Sequence, residues 1–204
     1  MKDTIGCLNF PLAQATKLMS LTRHIKPATR LKPWKVVDLF SGAGGMSYGF
    51  YAHPAFEVVG GVDAQLAKPS SPRGSLECNL TYKANIGIEP LEFDLSTVTP
   101  SEVRKALGDA IEPDGITVLS SCAPCTGYTR ANPSNHLEDD PRNKLVPRSA
   151  LFVEEFRPAI FVMENARELL NGKFAGHYGE LKQRLENLGY RVHGEIHFLN
   201  EFGL

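Results

Sequence analysis

Apolar residues recur along the chain in two alternating patterns, separated by glycine, proline and polar residues. Short uninterrupted apolar runs predict buried strands, whereas apolar residues three or four positions apart predict helices with one buried face. Such runs, or apolar residues at alternate positions, predict strands over residues 35–40, 56–62, 91–95, 116–120, 159–163 and 190–198. The helical spacing predicts helices over residues 44–51, 99–108, 144–156 and 178–188.

One predicted helix start carries a specific capping signal. In Thr99-Pro100-Ser101-Glu102, threonine stands at the N-cap, proline at the first helical position and glutamate three residues after the cap. In such a capping box the threonine side chain accepts the backbone N–H of the glutamate, and the glutamate carboxylate accepts the backbone N–H of the threonine. Two N–H groups that would otherwise lack a partner at the helix start are thereby hydrogen-bonded. The helix is therefore predicted to begin at this point.

The alternation of strands and helices begins near Trp34 and predicts a mostly parallel sheet with helices on both faces. The expected fold class is α/β, a Rossmann-like doubly wound sheet occupying residues 35–204. Residues 1–34 are predicted to be a basic N-terminal extension with one helix over 11–25. A loop rich in proline and serine is predicted over 64–75.

Composition narrows the class of protein. The 204 residues are 42% hydrophobic and 22% charged, as in globular domains, and no apolar stretch approaches the roughly 20 residues that span a bilayer. Residues 1–35 carry seven Lys or Arg and one acid, Asp3, whereas the other 169 residues carry a net charge of −7. Four cysteines are too few for a disulfide framework, and no signal-peptide core is evident, so we expect a cytoplasmic protein without a membrane segment.

A glycine-rich turn, Ser41-Gly42-Ala43-Gly44-Gly45, follows the first predicted strand. Glycines at this place let the backbone approach a ligand closely. Asp63 lies 21 residues after Gly42, at the end of the second strand, where a carboxylate can accept hydrogen bonds from ribose hydroxyls. A nucleoside cofactor and a plain tight turn beside a solvated carboxylate explain these two features equally well.

The turn departs from the dinucleotide-binding motif, because Ser47 stands where that motif needs its third glycine. A nicotinamide or flavin site is therefore a poor match, and S-adenosylmethionine is the favoured nucleoside. Asp94, after the third predicted strand, is the candidate acceptor for the adenine amino group. The alternative for Asp94 is an ordinary surface carboxylate.

Two cysteines follow the fourth predicted strand in Cys122-Ala123-Pro124-Cys125, at the edge where open parallel sheets carry their reactive groups. Three interpretations stay open for them: a buried structural thiol, a redox pair and a single nucleophile. A zinc site needs two further ligands at close spacing, and none is near. We therefore predict no metal.

Several motifs, in order over roughly residues 35–204, resemble those of the DNA cytosine-5 methyltransferases. The segment 38–45 is similar to that family's cofactor motif, and Pro124-Cys125 is similar to its catalytic Pro-Cys. The family usually has proline and glutamine where Ala123 and Thr126 stand. Residues 140–145 resemble the motif that follows the family's catalytic loop, and Glu164-Asn165-Ala166 resembles its Glu-Asn-Val.

The resemblance implies methyl transfer from S-adenosylmethionine to carbon 5 of cytosine in double-stranded DNA, with S-adenosylhomocysteine as the second product. It implies that Cys125 is the nucleophile, that Glu164 acts on the base and that Asn165 orients the Glu164 loop. Three basic residues near the catalytic loop are candidate phosphate contacts: Arg130, Arg142 and Lys144. The candidate cofactor-binding residues are Asp38, Phe40, Gly42, Gly44, Gly45, Asp63 and Asp94.

In that family the chain continues beyond the segment that resembles 198–203 into a target recognition domain and a final cofactor motif. We therefore expect the catalytic half of a split or truncated enzyme, inactive without a complementing polypeptide that carries this domain. RNA stays open as the substrate. Two other functions also stay open: an inactive cofactor-binding regulatory module and a thiol–disulfide oxidoreductase that uses Cys122 and Cys125.

Overall fold

The computed structural model describes residues 32–66, 77–129 and 137–203. The helix predicted over 11–25 lies outside these residues, as do Arg130 and most of the loop predicted over 64–75. The domain boundary at residue 34 stays a prediction.

Four strands form one sheet at the centre of the described residues. They are β1 (Trp34–Leu39), β2 (Phe56–Val62), β3 (Val118–Ser121) and β4 (Ile160–Met163), all parallel, in the order β2-β1-β3-β4. Leu39 pairs with Ser121, and Ser121 pairs with Met163, so the carboxyl ends of β1, β3 and β4 meet at the same edge. This is the edge at which open α/β sheets bind ligands.

Helices cover both faces of the sheet, as predicted. On one face Val36 and Val118 pack with Tyr82 and Ile86. The opposite face carries the larger core, where Val37, Leu39 and Leu119 pack with four later helices. Successive strand residues point to opposite faces, and the two cores follow this alternation. The helices are α1 (Gly45–Tyr51), α2 (Cys78–Ile86), α3 (Pro100–Leu107), α4 (Leu145–Phe156), α5 (Glu168–Asn171) and α6 (Gly176–Asn187).

The predicted capping box at the start of α3 is confirmed. The Thr99 hydroxyl accepts the Glu102 N–H at 3.3 Å, and the Glu102 carboxylate accepts the Thr99 N–H at 2.9 Å. The Thr99 hydroxyl also donates to the Glu102 carboxylate at 2.6 Å, and this bond, together with the one from the Thr99 N–H, lowers the pKa of Glu102. The end predicted at Gly189 is close to that of α6, and Gly189 has a φ of 93°.

Two predicted strands are wrong. Residues 91–95 contribute only one parallel bridge, between Val62 and Leu91, because the chain then turns around Asp94, whose carbonyl accepts the N–H groups of Thr97 and Val98. Residues 190–198 form no strand. This segment and β4 line a common cavity of about 660 Å³, and the two backbones form no ladder.

Several short elements escaped prediction, among them helices α2 and α5 and a 3₁₀ turn before α4. Helix α2 has a weak apolar pattern, because one of its three buried residues, Asn79, is polar. A 3₁₀ turn at Pro141–Lys144 precedes α4, so the helix begins one residue later than expected. None of the described helices is both long and apolar enough to cross a membrane.

Candidate active site

The glycine turn lies at the carboxyl end of β1. Its backbone is left-handed at Phe40, Gly42 and Gly44, with φ of 57°, 50° and 92°. Glycine tolerates this conformation without steric cost, whereas Phe40 is held in it while its ring packs against the larger core. A Cβ added at Gly42 or Gly45 would meet nothing within 4 Å, so the backbone of the turn faces open space.

The structure brings Asp63 to this turn. One carboxylate oxygen accepts the Gly42 N–H at 3.0 Å, and the other accepts the Gln65 N–H at 2.7 Å and the Cys78 thiol at 3.4 Å. Asp94, by contrast, caps its own turn by accepting the Ser96 N–H at 2.8 Å. The structure thus joins the glycine turn to Asp63 by a direct hydrogen bond, whereas the role of Asp63 toward a ribose stays a prediction.

Asp38 is fully buried beneath the turn rather than exposed to a ligand. Its two oxygens accept the hydroxyls of Ser47 and Ser120, both at 2.7 Å. Burial raises the pKa of Asp38, the Asp63 charge adds to the rise, and the hydrogen bonds from the two serines oppose it. Asp38 therefore acts on the turn through Ser47, a role that the sequence motif does not reveal.

Replacing Asp38 by asparagine should change the pH dependence of folding. The protonated carboxyl stabilises the folded state, and because its pKa is raised on folding, this contribution is complete at low pH and lost as the pH rises through the folded pKa. We expect Asp38→Asn to lower the free energy of unfolding more at about pH 4.5 than at about pH 8, measured by urea denaturation. Equal losses at both pH values would contradict the raised pKa.

The cysteine segment leaves β3 at the same edge of the sheet. The Cys122 N–H donates to the Leu39 carbonyl at 3.1 Å, and the Cys125 carbonyl accepts the N–H groups of Tyr128 and Thr129, both at 2.9 Å. Cys125 is exposed and Cys122 is half-buried. Burial raises the pKa of Cys122 to about 12, helped by the charges of Asp38, Glu164 and Cys125. Cys122 is therefore a protonated, weakly nucleophilic thiol at neutral pH.

Asn165 links the segment that follows β4 to the cysteine segment by a hydrogen bond. Its side-chain amide donates to the Ala123 carbonyl at 2.9 Å, while its carbonyl oxygen accepts the Ala166 N–H at 2.9 Å. The Glu164 N–H donates to the Ser121 carbonyl at 3.2 Å. These bonds hold the Glu164 and Cys125 segments side by side, with the Glu164 side chain exposed.

The residues after Cys125 pack on a second polar cluster that the sequence did not predict. The buried Tyr128 hydroxyl donates to the Asn143 carbonyl at 3.1 Å, and the Asn143 amide donates to Asp139 at 2.7 Å. His177 of α6 contacts the other Asp139 oxygen at 2.8 Å. Gly127 lies directly against Asn143, where a Cβ would collide with the Asn143 side chain.

The predicted phosphate contacts differ in their surroundings. Arg142 forms a two-point ion pair with Asp140, at 2.9 and 2.6 Å, which lowers the pKa of Asp140. A phosphate would have to compete with that carboxylate. Lys144 is exposed at the end of the 3₁₀ turn, and Arg130 lies outside the described residues.

Within residues 32–66, 77–129 and 137–203, no group of three His, Cys, Asp or Glu side chains is placed to hold a metal ion. The surroundings of the glycine turn fit a nucleoside better than a metal ion. The glycine backbone is open, Asp63 is anchored beside it, and the hydroxyl of Ser41 is buried without a hydrogen-bond partner among the described residues. These three features, the open glycine backbone, the Asp63 carboxylate and the Ser41 hydroxyl, suit a ligand that carries several hydrogen-bonding groups.

Solved structures of methyltransferases share this fold. A DNA modification methyltransferase encoded within an E. coli prophage superposes with a TM-score of 0.58 at 22% identity, covering 76% of this chain and 38% of that one. The methyltransferase EhMeth of Entamoeba histolytica superposes with a TM-score of 0.50 at 19% identity, covering 74% of this chain and 44% of that one.

Comparison of sequences identifies relatives more specifically than comparison of folds. The chain is 32% identical over 157 residues to the Type II methyltransferase M.AgeI of Thalassovita gelatinovora, covering 76% of this chain and 33% of that protein. It is 31% identical over 138 residues to M.AquIA of Picosynechococcus, covering 67% of this chain and 50% of that protein. It thus spans between a third and a half of the length of these two relatives.

The model of the C-5 cytosine-specific DNA methylases matches residues 34–204, which include every strand and helix described above. The motifs that carry the earlier resemblance, the glycine turn, the Pro-Cys segment and the Glu-Asn segment, all lie inside this match. The chain therefore belongs to the C-5 cytosine-specific DNA methylase family.

Proposed function

We propose that this chain binds S-adenosylmethionine and carries the catalytic residues for methyl transfer to carbon 5 of cytosine in DNA. The observation that supports the proposal most directly is the hydrogen bond from Asn165 to Ala123, which holds the Glu164 and Cys125 segments together at the carboxyl edge of the sheet. Parallel α/β folds assemble their active sites at this edge.

Cofactor binding is assigned to the glycine turn and Asp63. S-adenosylmethionine supplies an electrophilic methyl group on a sulfonium when it is bound. The Asp63 carboxylate, anchored by the Gly42 N–H, is the acceptor for ribose hydroxyls, and Asp94 is assigned to the adenine amino group. Phe40, Gly44 and Gly45 shape the turn, while Asp38 supports it from below through Ser47.

The nucleophile is assigned to Cys125. Carbon 5 of cytosine is a weak nucleophile, and addition of the Cys125 thiolate to carbon 6 turns the ring into an enamine that is reactive at carbon 5. The Glu164 carboxyl, in its protonated form, donates a hydrogen bond to ring nitrogen 3 and so draws electron density from the ring as the sulfur adds. After carbon 5 has accepted the methyl group, a base removes its proton, and the carbon 6–sulfur bond breaks to release the thiolate.

The target base must leave the helix stack before Cys125 can reach it, at a cost of a few kcal/mol. The segment after Cys125 is assigned to closing on a base turned out of the stack, because Gly127, Pro133 and Pro141 are typical of a loop that closes on a substrate. The phosphate contacts are assigned to Arg130 and Lys144. Arg142 can join them only when its ion pair with Asp140 is broken.

Recognition of the DNA sequence is assigned to residues beyond these 204. The chain covers only 33% and 50% of the two relatives named above, and its residues 36–204 carry a net charge of −7, whereas DNA affinity depends on Lys and Arg that neutralise phosphates. We propose that a complementing polypeptide or segment supplies the target recognition domain and that the 204 residues alone do not methylate duplex DNA.

The proposal is tested with oligonucleotides that contain 5-fluorocytosine, whose fluorine cannot be removed as a proton, so that the sulfur adduct persists. With S-adenosylmethionine and a single-stranded oligonucleotide at high concentration, we expect the chain to form a covalent adduct on a denaturing gel, because an unstacked base needs no flipping. The duplex should give none. Robust methylation of duplex DNA would contradict the need for a complementing part, and binding of S-adenosylhomocysteine without any adduct would favour a regulatory module.

A further inference from the structure

Helix α2 packs directly behind the glycine turn, although no motif assigns it a role. Its Tyr82 is fully buried, and the ring fills space that two glycines leave open. A Cβ added at Gly44 or Gly61 would lie 3.1 or 2.7 Å from atoms of this ring. The turn and the Tyr82 ring therefore fit each other closely, and neither can shift without the other.

The Tyr82 hydroxyl extends this contact into a chain of hydrogen bonds. Ser47 donates its single hydroxyl proton to Asp38 at 2.7 Å, so in the 3.0 Å contact between Ser47 and Tyr82 the tyrosine must be the donor. Burial raises the pKa of Tyr82 to about 12, which keeps the donor protonated at neutral pH. Ser120 completes the chain by donating to Asp38 at 2.7 Å. Four elements, α2, α1, β1 and β3, are thereby joined beneath the turn.

A second residue of α2 contacts the turn from outside. The exposed Asn85 donates its side-chain amide to the Ala43 carbonyl at 3.0 Å. At the other end of the helix, Cys78 donates to the Asp63 carboxylate at 3.4 Å. One helix thus contacts both the glycine turn and the carboxylate that were assigned to the cofactor.

We propose that Tyr82 and Asn85 are positioning residues for the nucleoside cofactor, which hold the glycine turn in its left-handed conformation in register with Asp63. This inference rests on the proposed function, because it concerns the same cofactor site. Without the two hydrogen bonds, the turn occupies other conformations for part of the time. The apparent affinity then falls in proportion to the competent fraction.

The test is the dissociation constant for S-adenosylhomocysteine, measured by calorimetry with the full chain. Tyr82→Phe keeps the ring and removes only the hydroxyl. The matched control is Tyr190→Phe, which removes a hydroxyl that donates to the Pro158 carbonyl at 2.6 Å. We expect the dissociation constant to rise about tenfold for Tyr82→Phe and to stay unchanged for Tyr190→Phe, although both variants lose thermal stability.

Asn85→Ala provides a second variant at an exposed position that does not endanger folding, and we expect its dissociation constant to rise about threefold. If the Tyr82→Phe variant fails to fold, the dissociation constant of Asn85→Ala decides whether α2 positions the turn. Wild-type affinity in both variants, or an equal loss in Tyr190→Phe, would overturn the positioning role. Absence of binding by the wild-type chain would instead overturn the proposed function, so the two failures are distinguishable.

Discussion

Cys125→Ser is expected to abolish formation of the covalent adduct with single-stranded 5-fluorocytosine DNA, lowering its rate by at least about three orders of magnitude. A serine hydroxyl ionises far less readily than a thiol and is a poorer nucleophile toward carbon 6 of the pyrimidine. Cys125 is also the exposed thiol of its segment, at the edge where Glu164 and the glycine turn converge. The measurement is the fraction of oligonucleotide that is shifted on a denaturing gel.

Cys122→Ser is the matched control for this prediction. Because burial raises the pKa of Cys122 to about 12, this thiol contributes no nucleophile at neutral pH, and its replacement should leave the adduct intact. A redox function predicts the opposite, since both cysteines of the pair would then be required. Adduct formation by Cys125→Ser, or its loss in Cys122→Ser, would contradict the assignment of Cys125 as the single nucleophile.

Gly127→Ala is expected to lower the free energy of unfolding by about 1–3 kcal/mol, the usual range for overpacking a filled interior. The added methyl group would collide with the Asn143 side chain and would lie 2.6 Å from the Asp140 Cβ. Asn143 is fully buried and cannot swing aside without breaking its bond to Asp139. Urea denaturation followed by circular dichroism measures the loss.

Gly179→Ala is the control, because a Cβ at this position in α6 meets nothing within 4 Å. Alanine is the better helix former there, and we expect a gain of about 0.5–1 kcal/mol. Wild-type stability of the Gly127→Ala variant would show that the side chains around Asn143 can rearrange at little cost in free energy. The segment after Cys125 would then not be anchored in the way that the structure indicates.

Parts of the fold and the positions of several candidate site residues were predictable, because their signals in the sequence are local. The glycine turn, the capping box at Thr99 and the position of Cys125 each depend on a few adjacent residues whose backbone requirements are specific. The convergence of the segments that carry Cys125 and Glu164 followed from one general rule, since parallel strands end at a common edge. The structure places both segments at that edge.

The support beneath the turn was not predictable, because its members are far apart in sequence. Asp38 lies in the segment that resembles a cofactor motif, yet its carboxyl accepts hydrogen bonds from Ser47 and from Ser120, which is 82 residues away. Tyr82 lies in a helix whose apolar spacing gave no signal. Only the folded arrangement shows that these side chains form one hydrogen-bonded chain.

The two strands predicted in error failed for a related reason. Alternating apolar residues show that a segment can form a strand, whereas a ladder also needs a neighbouring backbone within hydrogen-bonding distance. After Leu91 the chain turns about Asp94. Residues 190–198 lie across a cavity from β4, so their alternation finds no partner among the described residues.

The Asn165 amide has a thermodynamic consequence for the reaction. Its hydrogen bond to Ala123 joins residues 42 positions apart. Under the proposed function, part of the entropy cost of bringing the Cys125 sulfur and the Glu164 carboxyl to one pyrimidine is therefore met during folding. The two segments are then held side by side before any DNA binds. If the proposed function holds, a bound nucleotide needs less of its interaction energy to assemble the groups that attack it.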